Sequence, residues 1–425
     1  MDVLDEELKE FQLKLEAILK EFLEQGRVEV YGNLRIIVTS FDKIACLKGN
    51  TIYVNIKMQT YPDFVLRYII AHKLVHLFPE WVDLISGLIT IGRVLEDVLR
   101  VRVEHPGTYI GHVNLYLLEL EDGKLLVDTG FRQTAEELVR SLRDVLRGSR
   151  LREVVLTHIH NDHTGGVRDL RAAFTPEIMM HQQEIDVIGF MRGVVERGGD
   201  QLRTLGLDER LRRDVLDFFR FNLQHLSVDY EPLRGGEEFA SVAGKWRVVP
   251  TPGHTPGHVT LYDGERRVLI SGDHLLPNET SNVSYYPVEG YDALRSYLRS
   301  LVLTESLGPE LVLPAHGEPF RNVKERIDYL LAHHRRRLME AMAGAGRGSD
   351  LVGVARSISW SRGHFDMLGP IDRWLAVLET LAHLQFLINE GFVEARLEGE
   401  KVLFAATGRD GSELDRILHK IRGER

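Results

Sequence analysis

Apolar residues follow two different spacings along the chain, and the spacing changes with position. Near the amino terminus they recur at a helical period, which predicts an amphipathic helix over residues 4–24. Strand-like runs follow at residues 27–31, 34–39 and 51–56. We therefore expect an α+β arrangement in the first hundred residues.

The middle of the chain carries short, uninterrupted apolar runs, which predict buried strands. Each run is followed by a polar residue of a type that binds metals. These residues are Asp128 after the run 125–127, His158 after 154–156, His254 after 246–249, Asp273 after 268–270 and His316 after 311–313. Five strands that each deliver such a residue at or just past the carboxyl end predict one site at the edge of a stack of sheets.

The densest cluster of these residues begins directly after the apolar run 154–156. His158, His160, Asp162 and His163 fall within six positions. Imidazole and carboxylate groups are ligands of divalent transition metals. His158 and His160 alternate on one side of the chain, whereas Asp162 and His163 lie past the turn and can face a second spot nearby. Structural zinc sites usually use cysteine, which this cluster lacks.

Taken together, these motifs resemble the metallo-β-lactamase superfamily. Its HxHxDH motif, a later histidine, a bridging aspartate and a final histidine recur here in the same order. The resemblance covers roughly residues 101–335 and implies an α/β fold, in the form of a four-layer αβ/βα sandwich.

The resemblance also implies ligands for two divalent metal ions. One ion would be held by His158, His160 and His254. The second would be held by Asp162, His163 and His316. Asp273 would bridge the pair, and Asp128 would fix the orientation of the histidines by hydrogen bonds.

The implied chemistry is hydrolysis. Two metal ions about 3.5–4 Å apart can share a hydroxide, whose parent water has its pKa lowered toward roughly 7. This hydroxide attacks an electrophilic carbon or phosphorus, and Asp162 is the catalytic residue expected to orient it. Zinc is the first expectation, and iron or manganese suits the same ligands. His258 and His274 lie next to ligand positions and are expected either to donate a proton to the leaving group or to pack inside the fold.

Two further histidines lie in the amino-terminal segment. His72 and His76 are one helical turn apart, and the segment resembles the small zinc metallopeptidases that carry HExxH. Lys73 stands where that family has its glutamate general base, and a protonated lysine would repel a metal beside it. We therefore predict a degenerate peptidase-like domain. There are two alternatives. The segment could bind a metal through both histidines, with Glu80 or Glu96 as the third ligand, or the resemblance could be accidental.

The carboxyl-terminal segment has helical patterns followed by two short strands, at residues 393–397 and 402–406. This layout resembles the winged-helix appendage of some superfamily members, including the β-lactamase-like protein 2 group. Acids and bases are nearly balanced, so packing on the catalytic core or in a homodimer is preferred over nucleic-acid binding. The predicted domains cover residues 1–100, 101–337 and 338–425.

Bulk properties narrow the class of protein. The chain has 425 residues, a formal net charge of −10 and one cysteine, Cys46. The length predicts two or three domains, the acidic balance argues against a protein that coats nucleic acid, and one cysteine excludes a disulfide framework. The first residues lack the layout of a secretion signal, and charges interrupt the apolar stretch 84–101. We expect a cytoplasmic protein without a membrane span.

Two functions remain open at this point. The first is a metal-dependent hydrolase of a small-molecule ester, thioester or lactone, as in the glyoxalase II and lactonase branches. The alternative is a metal-dependent endoribonuclease or phosphodiesterase that acts on single-stranded RNA. A binding protein without enzymatic activity is disfavoured by the complete ligand set.

Overall fold

The computed structural model describes residues 11–17, 35–39, 45–48, 51–55, 88–105, 111–199, 209–361, 363–399 and 401–423. The chain divides into two compact units. One comprises Met1–Thr90 and Arg102–Val113, and the other comprises Ile91–Val101 and Asn114–Arg425. His72, Lys73 and His76 lie outside the described residues, so the peptidase-like interpretation stays a prediction.

The first unit contains a helical segment at residues 11–17, within the predicted amphipathic helix, and a three-stranded sheet. The strands are β1 (Arg35–Thr39), β2 (Ala45–Lys48) and β3 (Thr51–Asn55). β3 is central and pairs parallel to β1 and antiparallel to β2. Ile36 of β1 and Ile52 and Val54 of β3 are buried, whereas Ile37 of β1 is exposed, as expected for strands with one covered face.

The larger sheet system has twelve strands in the described part of the chain: ten follow one hydrogen-bonded path, and two more, β4 (Ile89–Leu95) and β5 (Val98–Glu104), branch from it at β6 (His112–Leu120). Its first half comprises these three strands, β7 (Gly123–Val127), β8 (Leu151–Leu156), β9 (Glu177–His181) and β10 (Glu231–Leu233). Its second half comprises β11 (Glu238–Ser241), β12 (Gly244–Pro250), β13 (Val259–Asp263), β14 (Val268–Gly272) and β15 (Leu311–Pro314). The halves are joined through β6 and β11 by a single residue pair, Leu120 with Ser241.

The two halves pack face to face. One apolar core combines Tyr116 and Leu118 of the first half with Trp246 and Leu261 of the second. Strands β7, β8, β9 and β10 pair in parallel, so the chain must cross over between them through helices. Since the inner face of this half is covered by the other half, those helices cover its outer face. The predicted four-layer αβ/βα sandwich is therefore confirmed.

The helices of the larger unit are α1 (Ala135–Leu146), α2 (Asn161–Thr164), α3 (Val167–Phe174), α4 (Gln182–Glu196), α5 (Glu209–Leu223), α6 (Ala293–Leu307), α7 (Val323–Ala345), α8 (Leu351–Ser357), α9 (Pro370–Asn389) and α10 (Gly411–Gly423). A second apolar core joins Leu269 of β14 to Leu298 of α6, Ile327 of α7 and Phe386 of α9. The carboxyl-terminal helices thus share one core with the outer helices of the sandwich.

Three short strands complete the carboxyl-terminal region: β16 (Ser349–Asp350), β17 (Val393–Glu398) and β18 (Lys401–Ala406). β17 and β18 form the predicted hairpin, and β16 pairs antiparallel to β18. The winged-helix interpretation stays a prediction. The predicted domain boundary between residues 337 and 338 falls inside α7, and it also stays a prediction. Among the described residues, no helix has both the length and the apolar character needed to cross a membrane.

A buried ion pair links the two halves of the sandwich. Asp97, in the turn between β4 and β5, is 1% exposed. It accepts hydrogen bonds from Arg266 Nη1 at 2.5 Å and from the Ser241 hydroxyl at 2.6 Å. Arg266 lies in the turn between β13 and β14 and also contacts Asp263 at 2.8 Å. The contact between the halves is therefore polar at this edge and apolar in the centre.

We expect Asp97→Asn to lower the free energy of unfolding by about 1.5–3 kcal/mol, because Arg266 then loses one of its two buried carboxylate partners and keeps only Asp263. Urea denaturation of the full chain measures this loss. The control is Asp122→Asn, which removes the exposed partner of Arg152 and should cost less than about 1 kcal/mol. Equal losses in the two variants would show that the buried pair does not hold the halves together.

Candidate metal centre

The strand ends converge as the sequence predicts. His158 and His160 follow β8, Asp162 and His163 lie in the short helix α2, and His254 lies in the turn after β12. Asp273 follows β14, and His316 follows β15. These seven residues form two groups whose potential ligand atoms lie within 4.8 Å of one another: His158, His160, His254 and Asp273, and Asp162, His163 and His316.

The first group has the geometry of a metal site. His158 Nε2 lies 3.0 Å from His160 Nδ1 and 3.2 Å from His254 Nε2, and His160 Nδ1 lies 3.0 Å from His254 Nε2. A tetrahedral ion with bonds of about 2.0–2.1 Å to nitrogen requires nitrogens roughly 3.3 Å apart. The rings meet edge to face, at 79° to 90°. Their nitrogens therefore point at a common centre.

The second group lies beside the first, with Asp273 between them. Asp162 Oδ2 is 3.6 Å from His163 Nε2 and 3.3 Å from His316 Nε2. Asp273 Oδ1 lies 3.5 Å from His163 Nε2 and 3.2 Å from His316 Nε2. The other oxygen of Asp273, Oδ2, lies 3.5 Å from His254 Nε2 in the first group. One carboxylate thus faces both groups.

The polar atoms of this centre fit divalent cations. His163 Nε2 and Asp273 Oδ1 are buried and have no hydrogen-bond partner among the described residues. Buried polar atoms normally have a partner, and an exception points to an ion or another ligand. The donors are histidine nitrogens and carboxylate oxygens, which suit zinc, iron and manganese.

Hydrogen bonds fix the orientation of the histidines. Asp128 accepts from the Thr157 backbone N–H at 2.7 Å and lies 2.8 Å from His163 Nδ1, so His163 presents Nε2 to the centre. His254 Nδ1 lies 2.7 Å from the Asn282 carbonyl oxygen, which leaves Nε2 as its ligand atom. Such partners set the tautomer and the ring orientation of metal ligands. The supporting role that the resemblance gives Asp128 agrees with these contacts.

A glycine makes room for the bridging aspartate. Gly272, at the end of β14, has a φ of +50°, and a Cβ atom there would lie 2.7 Å from His258 Nε2. His258 Nε2 accepts the backbone N–H of Asp273 at 3.1 Å. A side chain at position 272 would therefore displace the histidine that fixes the backbone of Asp273.

Electrostatics differ between the two groups. Burial lowers the pKa of His158 and His254, and that of His160 to about 3, so these rings are neutral and offer lone pairs. Burial also opposes the charged form of His316, but Asp273 and Asp162 raise its pKa to about 10. The pKa of His163 is likewise raised well above its usual value by Asp162, Asp128 and Asp273, against the effect of burial. Without metals, His316 and His163 therefore carry protons, and their positive charges offset the negative charges of the neighbouring carboxylates.

His258 and His274 are placed as packing residues. Both are fully buried. His258 uses Nε2 toward Asp273, and its Nδ1 lies 2.9 Å from the Thr251 hydroxyl. His274 Nε2 lies 2.8 Å from the Thr304 hydroxyl. These contacts favour packing over the proton-donor role that the sequence left open.

Glu184 is a residue that the sequence did not single out. It lies in the first turn of α4 and is fully buried. Its carboxylate accepts the backbone N–H of Ile159 at 2.8 Å and that of Gly257 at 2.6 Å. Burial raises the pKa of Glu184 to about 7. One carboxylate therefore connects the loop of His158 and His160 to the turn that carries His254.

We expect Glu184→Gln to lower the free energy of unfolding by about 1–3 kcal/mol, because an amide has one acceptor oxygen and leaves one N–H unpaired. The midpoint of urea denaturation measures the loss. Glu196→Gln changes an exposed glutamate at the other end of α4 and should leave the midpoint unchanged. An unchanged midpoint in Glu184→Gln would show that the connection does not stabilise the fold.

The chain is similar in sequence to known proteins. Residues 108–316 match the sequence family described as the metallo-beta-lactamase superfamily. A beta-lactamase-like protein 2 homolog of Caenorhabditis elegans is 27% identical over 253 residues, which cover 59% of this chain and 71% of that protein. An atrochrysone carboxyl ACP thioesterase of Aspergillus novofumigatus is 25% identical over 271 residues, with 62% and 68% coverage.

The fold is also similar to solved structures. The crystal structure of a metallo-beta-lactamase family protein from Thermus thermophilus superposes with a TM-score of 0.62 at 28% identity. The alignment covers 74% of this chain and 100% of that one.

Proposed function

Because residues 108–316 belong to the metallo-beta-lactamase superfamily of hydrolases, we propose that this chain uses two divalent metal ions to hydrolyse a small-molecule ester, thioester or lactone. The proposal rests mainly on the position of Asp273, because its two carboxylate oxygens face two separate groups of potential ligands. His158, His160 and His254 would hold one ion, and Asp162, His163 and His316 the other. Zinc is the first choice for both.

Metals bound at this centre would lower the pKa of water toward about 7 and stabilise negative charge on a reacting oxygen. The protein's own part is to present ligands and to orient the attacking water. Burial opposes ionisation of Asp162, but His163 and His316 lower its pKa far below the usual value. Asp162 is therefore ionised at neutral pH and accepts a hydrogen bond from water.

Substrate would approach beside α2. His160, Asn161 and Asp162 are partly exposed, whereas His158, His163, His254 and His316 are buried. The reacting group would thus meet Asp162 first, while the buried histidines stay shielded from solvent. The shielding strengthens electrostatic interactions at the centre.

A thioester is the preferred substrate within this class, because one relative of the chain carries the name of a thioesterase. The hairpin of β17 and β18 offers little for RNA, since its charges alternate in sign and Arg396 pairs with Glu394 at 2.7 Å. Phosphate binding depends on clustered basic side chains. Cleavage of RNA is therefore the alternative function, and the experiment below distinguishes it from hydrolysis of a small molecule.

The experiment compares acyl thioesters and lactones with labelled single-stranded RNA as substrates of the zinc-loaded chain. We expect turnover of thioesters or lactones that needs metal and is lost in Asp162→Ala. Cleavage of RNA alone, lost in the same variant, would contradict the proposal and identify a nuclease.

A further inference from the structure

Asn282 connects the metal centre to the carboxyl-terminal helices. It lies in the segment after β14, and its backbone carbonyl is the group that lies 2.7 Å from His254 Nδ1. Its side-chain amide nitrogen donates to Glu379 Oε2 of α9 at 3.0 Å, and its amide oxygen accepts from the Ser284 hydroxyl. The two side-chain contacts, with Glu379 and Ser284, hold Asn282 in place and thereby fix the position of the carbonyl that orients His254.

Glu379 is held in turn by the neighbouring helix. It is buried, and its other oxygen, Oε1, lies 3.0 Å from Nη1 of Arg337 in α7. The Arg337 guanidinium stacks on the ring of Trp360 at 4.2 Å. The Glu379 carboxylate thus divides its oxygens between Arg337 and Asn282.

A second contact attaches the same segment to α9. The backbone N–H of Tyr285 donates to the Leu378 carbonyl at 3.1 Å. The segment that includes Asn282 is therefore attached to α9 at adjacent residues, 378 and 379. A buried ion pair is often no more stabilising than apolar residues of similar volume. The polar character of Glu379 is thus better explained by its contact with Asn282 than by stability.

We propose that Glu379 is a positioning residue for the metal centre: through Asn282 it fixes the carbonyl that keeps His254 Nε2 aimed at the first metal. The inference rests on the proposed function, since it assumes that His254 binds metal. It gives the carboxyl-terminal region a defined part in the site, because α7 and α9 supply the groups that hold Asn282. Loss of such a supporting contact typically weakens metal binding by about 10–100-fold.

The test measures the zinc dissociation constant of the full chain by competition with a chelator. Glu379→Gln is the first variant, because an amide has one acceptor oxygen, which pairs more strongly with the charged Arg337 and leaves Asn282 unpaired. The second variant, Arg337→Met with Glu379→Met, removes the ion pair without leaving an unpaired buried charge, so the chain keeps its fold. We expect about 10–100-fold weaker zinc binding in both. The visible spectrum of the cobalt-loaded chain should also change, since it reports ligand geometry.

Two further variants complete the test: Asn282→Ala breaks the same hydrogen bond from its other side, and Thr380→Val is the control. Asn282→Ala should weaken zinc binding as Glu379→Gln does, and the two changes combined should add little, because they break the same hydrogen bond. Thr380 is the buried neighbour of Glu379, and its hydroxyl donates within α9, to the Ala376 carbonyl at 2.7 Å. Thr380→Val should leave the dissociation constant and the cobalt spectrum unchanged.

Unchanged zinc affinity in both Glu379 variants would overturn the inference. Equal weakening in Thr380→Val would do the same, because the effect would then be general to the helix. If the wild-type chain binds no zinc, the proposed metal site is wrong and the inference fails with it. Normal zinc binding by the wild type and by both Glu379 variants would overturn the inference alone and leave the proposed metal site standing.

Discussion

Asp273→Asn should lower the rate of thioester hydrolysis by at least about 10³-fold, which corresponds to about 4 kcal/mol of transition-state stabilisation. Asp273 directs Oδ1 to His163 and His316, and Oδ2 to the His254 side of the centre. Asparagine retains the volume but offers one oxygen and no charge. We therefore expect the purified variant to retain one zinc or less, as measured by elemental analysis, together with the loss of turnover.

A matched control separates this effect from a loss of fold. Asp292 is also buried, and its carboxylate caps the amino terminus of α6 by accepting the Arg295 N–H at 2.9 Å. Asparagine caps helices about as well as aspartate, so Asp292→Asn should keep two zinc ions and turnover within about threefold. Full turnover by Asp273→Asn would show that the carboxylate does not bridge two metals.

Zinc binding at the second group should weaken steeply as the pH falls. Without metal, the pKa of His316 is raised to about 10 and that of His163 is raised well above its usual value, so both rings carry protons at neutral pH. Zinc has to displace these two protons. Each unit of pH decrease should therefore raise the dissociation constant by about 100-fold, or tenfold for each proton. The first group should show little dependence near neutral pH, because burial keeps its histidines neutral.

Calorimetric titration of the metal-free chain in buffers of different ionisation enthalpy counts the protons released. His316→Gln should release about one proton fewer than the wild type, whereas His160→Gln should not change the release, because His160 is already neutral. Zinc affinity that is independent of pH would contradict the electrostatic description of the second group.

Metal at about a thousand times its dissociation constant should stabilise the fold by about 4 kcal/mol, and a chelator should remove this stability.

The sequence predicts which side chains lie close together where they follow strand ends. An apolar run fixes a buried strand, and the next polar residues must then lie at the edge of the sheet, so His158, Asp273 and His316 could be located from local pattern alone. Gly272 beside Asp273 belongs to the same local signal, since the backbone there requires a positive φ. The assignment of these residues as metal ligands stays a prediction until metal is measured.

The contacts that support the metal ligands and join the two halves of the sandwich could not be predicted from local sequence pattern. Glu184 and Gly257 are 73 positions apart, and Asn282 and Glu379 are 97 apart. Each contact depends on how one helix is rotated against a distant loop, and a glutamate in an amphipathic helix gives no sign of which partner it meets. Asp97 and Arg266, 169 positions apart, were missed for the same reason. Tertiary packing determines which residues form these pairs, and the spacing of apolar residues along the chain carries no information about them.

The most direct test of the central claim is a zinc titration of the metal-free chain with thioester turnover as the readout. Two ligand groups that share Asp273 predict that turnover rises to its maximum at two zinc ions per chain. Full turnover at one zinc ion, or turnover without metal, would contradict the two-metal mechanism.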